Sequence, residues 1–225
     1  GRAQALHLGW SVQGDDVHGD GPTAIGDCLN ALPPEWRLAA LLCLAFAQDY
    51  AVIDGANATI PWLAVCLPSH WAPEAKVGRH FAEVHAPVAD NQLLVTAAEH
   101  LARLVTGKQR WERFVWTITR QRHLHAHPQH SDPTPWPAGL AAPALAEHAW
   151  FRTEHQTFIP VPDQRLAVFT IHVELQPLVQ AAADPAHARA LHDALASMSP
   201  AVLAYRGLGE VQASLVDWLG LRAAT

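Results

Sequence analysis

The chain has 225 residues, of which half are apolar and 16% are charged, and this composition excludes wholesale disorder. The 15 Lys and Arg against 21 Asp and Glu leave a formal charge of −6, which gives no reason to expect a nucleic-acid surface. The longest apolar run, over residues 38–47, is shorter than the roughly 18 residues that a membrane span needs.

Hydrophobic periodicity and turn residues predict the secondary structure after an irregular amino-terminal extension over residues 1–34. In chain order, the predicted elements are a helix over 35–48, strands over 50–54 and 62–67 that form a hairpin, helices over 73–85 and 93–106, strands over 111–120, 150–158 and 166–175, and helical structure over 186–221.

Strands that occur in runs, rather than alternating with helices, favour an α+β fold with an antiparallel sheet. Two strands, a helical crossover and three more strands is the order of a PAS-like sheet with flanking helices. We therefore predict one PAS-like domain over 35–180, with carboxy-terminal helices over 181–225 that pack on the same domain.

Cysteine usage and the absence of a signal peptide bear on the compartment. Cys28, Cys43 and Cys66 lack CxxC spacing, which argues against a disulfide framework or a cysteine-held iron–sulfur cluster. No signal peptide is recognisable, so we expect a soluble, cytoplasmic protein that does not bind membranes. The 15 His residues and the single Met favour histidine as the ligand of any metal or haem.

His85 ends the helix predicted over 73–85, on the apolar face that also carries Gly78 and Ala82. An inward histidine beside small residues can let a flat macrocycle lie against the helix, with one ring nitrogen on iron and the other on a backbone carbonyl. A core histidine that is satisfied by hydrogen bonds fits the same pattern.

Four closely spaced histidines, His123, His125, His127 and His130, form a second candidate site. In an extended chain the first three project to the same side and can converge on Zn²⁺, Cu²⁺ or Ni²⁺. The alternative is a solvated, His-rich entry to the Pro-rich loop that follows.

A third candidate lies on the strand predicted over 150–158, where alternation places Arg152, Glu154 and Gln156 on one face. Such a face is costly to bury unless its side chains pair or bind a polar ligand. Arginine can hold a carboxylate or propionate, and glutamate can hold an ammonium. An exposed sheet face with a cross-strand salt bridge explains the same pattern.

Several short strings stand in the same order as in the haem-dependent oxidative N-demethylases, the haem-bearing subunits of dimethylamine monooxygenase and its relatives. The strings are VCLPSHW at 65–71, KVG at 76–78, VHAPV at 84–88, RFVWTI at 113–118, RTEHQT at 152–157 and VFTI at 168–171. The resemblance runs from about residue 42 to 178. One departure is His155, which stands where relatives usually carry Arg.

The resemblance implies a PAS-like domain that binds haem b with His85 as the axial ligand. Gly78, Arg113, Trp116 and Gln156 become candidates for lining the haem or substrate pocket.

The implied reaction is oxidative removal of a methyl group from a secondary amine with O₂ and release of formaldehyde. Within it, Glu154 is the candidate for holding the small-molecule amine, and Arg152 is the second catalytic candidate. The sequence has no dinucleotide fingerprint, so electrons must come from a separate reductase subunit, a flavin or iron–sulfur donor.

Two other functions stay open from the sequence. One is a non-enzymatic haem- or ligand-binding PAS-like sensor module. The other is a metalloenzyme that uses the histidine cluster of residues 123–130. A homo-oligomer is equally compatible with the sequence.

Overall fold

The computed structural model of the chain describes residues 10–13, 16–19 and 23–224. Strands β1 (Trp10–Gln13) and β2 (Asp16–Gly19) pair antiparallel, and helix α1 (Thr23–Asn30) follows them. The prediction of an irregular extension over residues 1–34 is therefore wrong where the structure describes it. Residues 1–9, 14–15 and 20–22 of that extension lie outside the described residues.

The centre of the fold is a five-stranded antiparallel sheet with the strand order β4-β3-β7-β6-β5. Its strands are β3 (Asp49–Asp54), β4 (Thr59–Ala64), β5 (Trp111–Thr119), β6 (Trp150–Val161) and β7 (Leu166–Pro177). This arrangement confirms the predicted α+β fold.

The predicted hairpin between β3 and β4 depends on the Asp54 side chain. Its Oδ1 accepts hydrogen bonds from the backbone N–H groups of Ala56 (2.7 Å) and Asn57 (3.3 Å), which folds the turn. Ala58 then takes a left-handed conformation with φ 51°. The second strand begins at Thr59, three residues before the predicted start.

Helices flank the sheet on both faces. After α1 they are α2 (Pro34–Ala45), α3 (Phe81–His85), α4 (Gln92–Thr96), α5 (Ala98–Val105), α6 (Ala142–Glu147), α7 (Leu178–Ala181), α8 (Pro185–Ala196), α9 (Pro200–Tyr205) and α10 (Gln212–Arg222). Within the described ranges, no helix is long and apolar enough to cross a membrane.

The helix predicted over 73–85 is wrong in its first half. Pro73–Ala75 forms one 3₁₀ turn, and Gly78 then adopts φ +75°, a left-handed conformation that ends any helix. The α-helix begins at Phe81, where the Nδ1 atom of His80 accepts a hydrogen bond from the Ala82 N–H at 3.2 Å. His85 is therefore on a helix of five residues, and Gly78 does not share its face.

Two apolar clusters attach the helices to the sheet. The larger one joins Ile118 of β5 to the carboxy-terminal helices α6–α10. The other packs α5, through Ala102 and Val105, against Ile53 and Phe158 on the opposite face of the sheet. The division into an extension over 1–34, a domain over 35–180 and packed helices over 181–225 stays a prediction.

The packing of the carboxy-terminal helices can be tested at Leu195 on α8, which is completely buried, against Leu93 on α4, which is 82% exposed. We expect Leu195→Ala to lower the free energy of unfolding by about 3 kcal/mol, because it leaves a cavity in the larger cluster. Leu93→Ala should change it by less than about 0.5 kcal/mol. Urea unfolding of both variants measures the difference, and equal losses would contradict the assignment of this core.

Candidate functional site

One face of the sheet carries a set of polar side chains that we call the polar row: Asp49, Arg152, Glu154 and Gln156, which are buried, and Arg113, which is exposed. Strand β6 directs Arg152, Glu154 and Gln156 to this face, with exposed fractions of only 1%, 9% and 6%. The predicted common face is confirmed, and the alternative of an exposed sheet face is wrong.

Gln156 links the two charged groups nearest to it. Its Nε2 donates to Glu154 Oε2 at 2.5 Å, and its Oε1 accepts from Arg113 Nε at 2.6 Å. The two strands place Arg113 directly opposite Gln156, so this link follows from the sheet register. The guanidinium of Arg113 also lies over the Phe158 ring, 5.8 Å from its centroid. Within the described part of the chain, its two terminal nitrogens make no hydrogen bond.

Arg152 lies at the other end of the row and binds two loops. Its acceptors are Ser69 Oγ (2.7 Å from Nε), the carbonyl oxygens of Leu67 and Pro68 (3.3 Å each from one terminal nitrogen), and the carbonyl oxygens of Leu124 (2.6 Å) and His123 (3.2 Å). Every nitrogen of the guanidinium is hydrogen-bonded to the protein. Arg152 therefore holds these loops against the sheet, which makes it a positioning residue rather than a group open to a reacting molecule.

Asp49 holds one of the same loops from its other side. Its Oδ1 accepts from the Cys66 N–H and its Oδ2 from the Leu67 N–H, both at 2.8 Å. Burial raises the pKa of Asp49, whereas these two hydrogen bonds lower it. Sequence reasoning missed Asp49, which forms part of no local motif, and assigned no role to Ser69, although Ser69 lies in the VCLPSHW string at 65–71.

His85 stands at the end of α3, with its ring against that of Phe81 at a centroid separation of 4.1 Å. Its Nδ1 lies 2.8 Å from the Phe81 carbonyl oxygen, which requires Nδ1 to donate and leaves the lone pair on Nε2. Among the described residues, Nε2 has no hydrogen-bond partner. The structure thus places one hydrogen bond on the ring, at Nδ1, and the choice between an iron ligand and a core histidine stays a prediction.

The surroundings of His85 favour the neutral form of its imidazole. Burial lowers its pKa, and the hydrogen bond to Phe81 opposes this shift. The positive charges of Arg113 and Lys76 lower the pKa further. A neutral imidazole with one nitrogen fixed on a carbonyl and the other free is the arrangement that iron-ligating histidines use.

Lys76 and Gly78 form the turn in front of α3. The Lys76 Nζ donates to the Val84 carbonyl at 2.6 Å, which ties the turn to the helix that carries His85. No atom lies within 4 Å of the place where a Cβ on Gly78 would be, so open space remains beside the turn. Sequence reasoning singled out Gly78 but assigned no role to Lys76, which stands in the same KVG string.

The structure does not bring Trp116 to this site. Strand alternation places it on the opposite face, where it packs against Phe151 at a ring separation of 5.8 Å and contacts the larger apolar cluster. The guanidinium of Arg206 covers its ring at 5.6 Å.

The histidine cluster differs from its prediction, because residues 123–130 turn rather than extend. The rings of His125, His127 and His130 stack with centroid separations of 5.1–6.2 Å, and His127 pairs with Glu74 at 3.1 Å. His123 instead supplies a carbonyl oxygen to Arg152. In the ranges that the structure describes, no group of three or more His, Cys, Asp or Glu side chains is placed to hold a metal ion.

A cavity of about 430 Å³ lies elsewhere, against Arg120, Arg122, Glu147 and Trp150. Its lining includes neither His85 nor Glu154. One of its charges is already neutralised, because Arg120 forms an ion pair at 2.8 Å with Asp132.

A comparison with known proteins finds that the model of a protein family, described as haem-dependent oxidative N-demethylase, alpha subunit-like, matches residues 40–216. The chain belongs to this family. The match includes the whole five-stranded sheet, His85 and the complete polar row, and it confirms the resemblance inferred from the short strings. At family level the function is haem-dependent oxidative N-demethylation.

The residues present fit a haem. His85 offers one free, neutral ring nitrogen, and the terminal nitrogens of Arg113 are available to a carboxylate such as a propionate.

The tautomer and charge of His85 can be measured directly by NMR of histidine-labelled protein without haem. We expect the Nδ1-protonated form and a pKa below 6.5, because burial disfavours the charged ring. Since the folded-state pKa is the lower one, the stability that neutral His85 contributes is present above pH 6.5 and is lost as the pH falls through the folded value. His85→Gln assigns the signal, and a pKa at or above 6.5 would contradict the geometry.

Proposed function

We propose that this protein binds haem b through His85 and removes a methyl group from a small secondary amine with O₂, releasing formaldehyde. Electrons come from a separate reductase that carries flavin or an iron–sulfur cluster, and the protein acts in the cytoplasm. The observation that carries the proposal is the His85 ring, whose Nδ1 is fixed by the Phe81 carbonyl and whose Nε2 has no hydrogen-bond partner among the described residues. Burial lowers the pKa of the ring, which favours its neutral form.

Haem supplies, when bound, the O₂ activation that oxidative demethylation needs. The part played by His85 is to present a lone pair in a fixed direction. The Phe81 carbonyl sets the tautomer and increases the basicity of the ring, while burial prevents protonation from competing for Nε2.

Arg113 is our candidate for holding a haem propionate. Gln156 binds its Nε, which orients the guanidinium and leaves both terminal nitrogens to a carboxylate in the two-pronged geometry that arginine favours.

Glu154 is our candidate for holding the amine. It is buried on the sheet, and among the described residues its one hydrogen-bond partner is the Gln156 side chain, which binds Oε2. The other carboxylate oxygen is left to accept a hydrogen bond from a substrate ammonium. Arg152 serves this site indirectly by holding the loops that border the row.

Haem binding is tested by the absorption spectra of haem-supplemented protein. We expect His85→Ala to lose or shift the Soret band, because the side chain that would hold the haem is removed, while the exposed His100→Ala on α5 keeps the parent spectrum. Added imidazole should restore a parent-like band to a folded His85→Ala protein. An unchanged Soret band in His85→Ala would sink the proposal.

Amine binding is tested with Glu154→Gln, which keeps the shape of the side chain and its acceptor for Gln156. We expect KM for a secondary amine to rise about tenfold or more, since a charge-assisted hydrogen bond is lost, with the Soret band unchanged. Glu174→Gln on β7, an exposed carboxylate, is the matched control. Loss of haem in Glu154→Gln would show a structural role instead. Haem uptake by the parent protein without reductase-dependent amine oxidation would favour the sensor module.

A further inference from the structure

The cavity of about 430 Å³ adjoins the Arg152 end of the polar row through two of its lining residues. Trp150 precedes Arg152 by two residues on β6, and the carbonyl oxygen of His123 accepts a hydrogen bond from Arg152. Residues just after β5, a proline-rich loop over 132–137 and the end of α6 complete the lining. A cavity of this size can hold a small organic molecule.

The proline-rich loop is fixed to the rest of the protein at both of its ends. Asp132 forms an ion pair with Arg120 at 2.8 Å, and its carbonyl oxygen accepts from Gln121 Nε2 at 2.7 Å. Further along the loop, the indole N–H of Trp136 donates to the Gly207 carbonyl oxygen at 2.9 Å. The cavity is therefore preformed, and a ligand does not have to order this wall.

Two opposite charges line the cavity without being neutralised. Arg122 follows β5, and Glu147 is the last residue of α6. Within the part of the chain that the structure describes, neither side chain forms a hydrogen bond or an ion pair, with the other or with any third group. Both are exposed, so a ligand can reach them from solvent. Arg120 and Asp132, by contrast, already satisfy each other.

The other groups at the cavity are apolar or uncharged near neutral pH. Trp150 is half-buried, and Pro135 and Pro137 belong to the fixed loop. The imidazoles of His123 and His148 have no hydrogen-bond partner among the described residues. An apolar group of a ligand can lie against the indole and the prolines, and each imidazole can donate or accept a hydrogen bond.

We propose that this cavity binds a small zwitterion, an amino acid with an apolar side chain. Arg122 holds its carboxylate, Glu147 holds its ammonium, and Trp150 contacts its side chain. A ligand with a negative charge alone would leave Glu147 unpaired, and one with a positive charge alone would leave Arg122 unpaired. The site is separate from the proposed haem and amine site and does not depend on it.

The test is an NMR titration of the full chain without haem, which follows the indole N–H signal of Trp150, assigned by its absence in Trp150→Phe. The probes are L-phenylalanine, 3-phenylpropanoate, which lacks the ammonium, and 2-phenylethylamine, which lacks the carboxylate. We expect L-phenylalanine to bind about fivefold or more tightly than either analogue, because each analogue loses one charge-assisted hydrogen bond.

Two variants assign the charges. Arg122→Gln should weaken the binding of L-phenylalanine about fivefold or more and leave that of 2-phenylethylamine unchanged. Glu147→Gln should weaken L-phenylalanine to a similar extent and leave 3-phenylpropanoate unchanged. Arg110→Gln, at an exposed arginine outside the cavity lining, is the matched control and should bind all three probes as the parent does.

Three results would overturn the proposal. The first is a Trp150 signal that L-phenylalanine does not shift. The second is an analogue that binds as tightly as L-phenylalanine, since one of the two charges would then play no part. The third is an affinity for L-phenylalanine that only one of the Arg122→Gln and Glu147→Gln variants lowers, or that neither lowers.

Discussion

Burial of charge on one face of the sheet is the constraint around which this fold is arranged. Each buried ion loses several kcal/mol of solvation unless the protein replaces its water with good hydrogen bonds. For Arg152 these hydrogen bonds come from loop carbonyls, for Asp49 from backbone N–H groups, and for Glu154 from the amide of Gln156, which also binds the exposed Arg113. The same hydrogen bonds that satisfy the buried charges of Arg152 and Asp49 thus hold the loops in place.

The proposed ligand and the proposed substrate group stand on different kinds of element. His85 is oriented by a carbonyl of its own short helix, four residues back, whereas Glu154 is oriented by its neighbour on a sheet strand. Arg113 interacts electrostatically with both groups. Its charge contributes to lowering the pKa of His85, and the charge of Glu154 opposes the effect of burial on the pKa of Arg113. The two candidate groups are therefore held independently, Glu154 by the sheet and His85 by its short helix.

Alternation along a strand was enough to place Arg152, Glu154 and Gln156 on one buried face, because a period of two admits few other arrangements. The prediction of one helix over 73–85 was wrong because the spacing of its apolar residues fits a helix. That spacing carries no information about the left-handed turn at Gly78. Loop acceptors of Arg152 and the role of Asp49 depend on contacts between distant segments.

The hydrogen bonds of Arg152 also set an order of assembly. Ser69 and the carbonyls of Leu67 and Pro68 lie 83–85 residues away from it along the chain. Contacts of such range form only after most of the loop-closure entropy has been overcome. During synthesis on the ribosome, residues 67–69 therefore emerge before Arg152 and lack their hydrogen-bond partner until it follows. The hydrogen bonds of Arg152 that hold the site can form only once its strand has joined the sheet beside residues 67–69.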